Sequence, residues 1–176
     1  MFTLEEVPMA HRTLRAAWGR EIISLQSLSE MPWLRVDPYA REAYERRLSA
    51  ARVALNEVKL FLDRAETVAW LLRDLEVTMC NLADLKKFQH DHVGERDPLV
   101  EAGIQDHKDH VQFRVKELAV ARQRLVVAYN MATEAVARAH KLGVGKGLGV
   151  GLTWTEFNKL MGVEKPILKQ LKLWEK

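Results

Sequence analysis

The chain has 176 residues, enough for one domain of ordinary size and a small appendage. Charged residues make up 29% and apolar residues 48%, while glycine and proline number only 9 and 5. That balance excludes a disordered chain, a collagen-like repeat and a disulfide scaffold, and leaves a mostly helical protein. The formal charge of +3 is unevenly placed: residues 1–140 carry 20 Lys/Arg against 21 Asp/Glu, a net of −1, and residues 141–176 carry 7 Lys against 3 Glu, a net of +4.

The N-terminal stretch Met1–Pro8 is acidic and has no long apolar run, so no secretory signal is expected. No segment approaches the length of uncharged apolar sequence that a membrane-spanning helix needs. Cys80 is the single cysteine and has no intrachain partner, which fits a reducing compartment. The expectation is a cytoplasmic protein without a membrane span.

Residues 9–30 predict a helix. Leu14, Trp18, Ile22 and Leu25 recur at spacings of four, four and three, which places them on one apolar stripe. Met31-Pro32-Trp33 ends it, because proline disfavours helical geometry in the residue before it. Asp37-Pro38 is a second start signal: the carboxylate accepts from free amides and proline suits the first helical position. Neither glycine nor proline follows until Gly94, so residues 38–92 can form one helix of roughly 80 Å. The same signal recurs at Asp97-Pro98 and opens a second long segment to about Leu142, with Gly103 as its one interior glycine.

Heptad spacing organises both long segments. Leu48, Leu55, Leu62 and Ala69 are seven apart; Ala51, Val58, Ala65, Leu72 and Met79 repeat three residues later. Together they fill a and d positions. Ala54, Phe61, Val68, Leu75 and Leu82 occupy g, which widens the stripe beyond a two-stranded coil and calls for more than one neighbour. Glu76 interrupts the a series. The next segment answers with Ile104, Val111, Leu118, Leu125, Ala132 and Ala139, and with Ala121, Ala128, Ala135 and Leu142 three residues on. The short connection Val93–Asp97 makes the two helices antiparallel neighbours. The fold class is therefore all-α: a long antiparallel helical hairpin in a three-helix or larger bundle, with a small C-terminal helical tail.

Residues 143–151 alternate five glycines with other residues and form the main break in composition. This run divides the chain into a bundle (1–142), a glycine-rich linker (143–151) and a small basic segment (152–176). It lacks the Lys-Ser/Thr of a phosphate-binding loop, since Gly147 follows Lys146, and a helix rather than a strand precedes it.

In the last segment, Thr153 and Glu156 have capping-box spacing. Phe157, Leu160 and Met161 share a face, Gly162 suits a tight turn, and Pro166 opens another helical stretch with Ile167, Leu168 and Leu171 inward. Segment 153–173 resembles a helix-turn-helix. That resemblance implies duplex DNA binding, with Lys165, Lys169, Gln170 and Lys172 facing phosphates and base edges. Asn158 departs from the pattern, which places a small residue at the close helix crossing. No arginine lies beyond Arg138, so bidentate guanine reading is missing from this segment.

His90, His92, His107 and His110 flank the hairpin turn. They lack the Glu-x-x-His pattern of helical metal sites and read as a solvated tip. Cys80, at an e position beside the apolar stripe, reads as an inert, buried or half-buried thiol. No catalytic residue, metal site or cofactor is expected. The leading expectation is a non-enzymatic interaction or oligomerisation protein with a protein partner or a second copy of itself. A small DNA-binding regulator using the tail is the alternative.

Overall fold

A computed structural model describes residues 6–92 and 97–162 of the chain. They form five helices: α1 (Glu6–Leu28), α2 (Pro32–Val36), α3 (Pro38–Asp91), α4 (Pro98–Lys141) and α5 (Trp154–Gly162), with no strand among the described residues. The fold is the all-α antiparallel hairpin that the heptads predict. Its two arms have 54 and 44 residues, or about 80 and 65 Å of helix. Both start signals work as caps. The Asp37 carboxylate accepts from the amides of Tyr39 (2.9 Å) and Ala40 (3.3 Å), and that of Asp97 from Leu99 (2.9 Å). The short helix α2 is absent from the sequence reading. Met31, extended as a residue before proline should be, lets Pro32 open a single further turn that buries Leu34.

The core follows the repeat. The d series from Ala51 to Met79, the g series from Ala54 to Leu82 and the α4 series from Ile104 to Ala139 are all buried. Glu76, at an a position, is exposed, and the seam skips it. Phe61 meets Tyr129 of α4 edge-on at 5.4 Å and Phe157 of α5 at 6.4 Å. Phe61 and Leu75, whose g positions call for a further neighbour, are buried within one chain.

Helix α1 lies along the first half of α3. Trp18 is fully buried and Leu25 nearly so. His11 Nδ1 sits 2.7 Å from the Glu66 carboxylate, and its Nε2 is 3.5 Å from Asp63. The glycine-rich run 143–151 is packed against this helix. It begins as a Schellman closure of α4: the Val144 amide reaches the Ala139 carbonyl and the Gly143 amide that of His140 (both 2.9 Å), with Gly143 at φ +74° and Val144 fully buried. The Gly145 amide then donates to Glu21 (3.0 Å), its carbonyl accepts from His140 Nε2 (2.9 Å), and the Gly149 carbonyl accepts from the Trp18 indole (3.4 Å). Gly145 stands directly over Trp18: a Cβ there would fall 2.5 Å from the ring.

Candidate interaction surface

The residues expected to contact DNA, Lys165, Lys169, Gln170 and Lys172, lie outside the described residues. The first helix of that expected pair is α5, and its capping box is formed. The Glu156 carboxylate accepts from the Thr153 amide (2.6 Å) and hydroxyl (2.8 Å), and the Glu156 amide donates back to the Thr153 hydroxyl (3.3 Å). Phe157 and Leu160 are buried, Met161 is half-buried and Asn158 is exposed. The inward face docks on the hairpin. Phe157 stacks on Tyr129 at 4.5 Å and on Trp154 at 5.4 Å. Arg122, 5% exposed, donates from Nε (3.2 Å) and Nη2 (3.0 Å) to the Leu160 carbonyl. Those bonds tie the last described turn of α5 to α4.

Three of the histidines near the tip have separate partners. His107 Nδ1 donates to the Gly103 carbonyl (2.8 Å), and His92 Nδ1 to the Phe88 carbonyl (3.0 Å) while its ring stacks on Phe88. His110 Nε2 reaches Asp74 of the opposite arm at 3.0 Å. Among the described residues no three His, Cys, Asp or Glu side chains converge on a metal position. Cys80, expected to be buried or half-buried, is exposed, because its e position lies outside the buried d and g rows of α3. No helix among the described residues is long and apolar enough to cross a membrane.

The surface most unlike an ordinary solvated face is one long side of the hairpin. Across the α3–α4 seam, Trp70 (53% exposed) and Phe113 (55%) flank Arg114. The Arg114 guanidinium lies 4.7 Å above the Trp70 ring, its Nε donates to Asp74 (2.7 Å) and its Nη1 to Glu117 (2.6 Å). The hydrogen bond to Glu117, and then the charge of Asp74, hold this guanidinium charged more firmly than usual, against the effect of burial. The exposed Trp70 ring thus lies against an arginine that is itself held by two carboxylates.

From this cluster a shallow groove runs along the seam towards the open end of the hairpin. Leu60 and Trp70 of α3 face Val120, Val127 and Met131 of α4, all at least 40% exposed. The floor contains Ala121 and Ala128, which let a third backbone come close. Sequence reading missed this face because it counted only the deepest positions. The signal is present: Val53 and Leu60 are seven apart, as are Phe113, Val120 and Val127, a second and weaker heptad series outside a, d and g.

A scan against family models gave no match for this chain, and searches of curated proteins and of solved structures gave none either.

Proposed function

We propose that this chain is a non-enzymatic helical docking module that binds a protein partner on the open side of its α3–α4 hairpin. The observation that carries the proposal is the pre-oriented cluster of Trp70, Arg114 and Phe113 continuing into an exposed apolar groove. Tryptophan and arginine in fixed rotamers beside aliphatic surface are the composition of binding hot spots, because little side-chain entropy remains to be lost on association. A line of exposed apolar side chains gathered along one groove is the kind of surface that marks interaction sites.

The test is site-directed photo-crosslinking in the native host. A photoreactive side chain at Val120, inside the groove, is expected to give a discrete adduct with another protein; the same side chain at Arg12, on the exposed face of α1, is not. Trp70→Ala and Phe113→Ala together should abolish the Val120 adduct while helicity is retained. Adducts that are equal at both positions, or that survive the double change, would reject the proposal.

A further inference from the structure

We infer that the occupant of the groove is an acidic amphipathic α-helix of a partner protein; this rests on the docking reading above and specifies its ligand. Three cations stand along the groove: Arg64 on the α3 wall, and Lys116 and Arg124 on the α4 wall. Among the described residues none of the three has an ion-pair partner. The carboxylates at the same end, Asp74 and Glu117, are already engaged by Arg114. The groove thus presents an apolar, alanine-floored channel with cations on both sides, and Glu117, the acid in its lining, is engaged by Arg114.

Shape and charge together select the ligand. The floor offers no row of free backbone groups for an added strand, so the occupant must satisfy its own backbone hydrogen bonds, as a helix does. Lys116 and Arg124 are eight residues apart, about 12 Å along α4, which matches carboxylates separated by two turns on a helix lying along the groove. Arg64 on the other wall asks for a further carboxylate on the opposite flank of the same apolar stripe. A second copy of this chain fits poorly, because two-fold pairing through the groove sets Arg64 and Arg124 against their own duplicates. The basic segment 163–176, with four lysines against two glutamates, meets the same repulsion. A sugar–phosphate backbone matches the cations but leaves Leu60, Val127 and Met131 facing a polar chain.

The experiment is selection of a displayed library of amphipathic helices, all sharing one apolar stripe and varied in flanking charge, on the full-length chain. Binders are expected to concentrate Asp and Glu on both flanks, with a seven- or eight-residue separation on one of them. The double change Arg64→Glu with Arg124→Glu should weaken them by about tenfold or more. Both side chains lie at the groove edge, so circular dichroism should be unchanged. Recovery of neutral or basic helices, of binders indifferent to the double change, or of no binders overturns the inference. So does sedimentation of a dimer that dissociates on Leu60→Glu with Val127→Glu, or groove-dependent binding of single-stranded RNA or duplex DNA. A Val120 crosslink to a protein alongside failed acidic-helix selection leaves the docking module standing and removes only this ligand.

Discussion

Replacing Gly145 by alanine tests the packing of the glycine-rich run against α1. Gly145 has φ +64°, and a Cβ would lie 2.5 and 2.6 Å from two carbons of the Trp18 ring, well inside the roughly 3.5–4.0 Å of favourable carbon contact. The ring is fully buried and its indole nitrogen donates to Gly149, so it has no free direction in which to yield. The left-handed backbone costs an alanine about 1 kcal/mol, and forcing a methyl group into a filled site adds about 1–3 kcal/mol. The expected loss is about 2–4 kcal/mol, read as a fall in melting temperature of about 5–15 °C for a chain of this length. Gly147→Ala is the internal control. Gly147 also has positive φ, at +84°, but nothing lies within 4 Å of its Cβ position, so it should lose only the backbone part, about 1 kcal/mol. Urea denaturation of both variants, and of Gly145→Ala in a Trp18→Leu background, separates the two contributions; the larger loss should shrink once the indole is gone. Equal losses at the two glycines would refute the Trp18 contact, and negligible losses at both would mean a free linker.

Arg122→Met should free α5 from the hairpin, losing about 1.5–3 kcal/mol for charged hydrogen bonds to the Leu160 carbonyl; faster amide exchange in α5, with α3 and α4 still protected, is the readout. Changing Lys165, Lys169 and Lys172 together to Gln tests the alternative of a DNA-binding tail, in which duplex affinity falls for every sequence and the salt slope flattens by about one unit per lost phosphate contact. The docking reading expects the wild-type chain to show no salt-sensitive duplex shift at all, and a clear shift at low salt would count against it.

The parts of the fold that were legible in the sequence are those set by local rules. Asp-Pro pairs mark both long helices to within a residue, because a carboxylate cap and a proline-fixed first turn need no tertiary help. The seven-residue repeats located the core for the same reason: a helix has one fixed angular period. The run 143–151 was opaque. Alternating glycines have the composition of a flexible chain, and only the position of Trp18, far back in sequence, turns them into a packed segment. The groove was hidden differently. Its apolar residues are half-exposed and interleaved with Arg64, Lys116 and Arg124, so each resembles an ordinary surface position until both arms are laid side by side. Arg122 gave no sign of being buried, since only the arrival of α5 encloses it.

The closure over Trp18 also fixes an order of events in making the molecule. The indole and its acceptor on Gly149 are separated by 131 positions, and Glu21 and the Gly145 amide by 124. The hairpin arms are joined by a short turn and can pair as soon as both exist, whereas this contact requires a long loop to close. A chain synthesised from its N-terminus has α1 complete long before residues 143–151 emerge, so the Trp18 pocket stays open through most of synthesis. Indole fluorescence from this position is therefore a clock for the last stage of folding, and a nascent chain halted before residue 143 lacks the part of the Trp18 pocket that Gly145 and Gly149 supply.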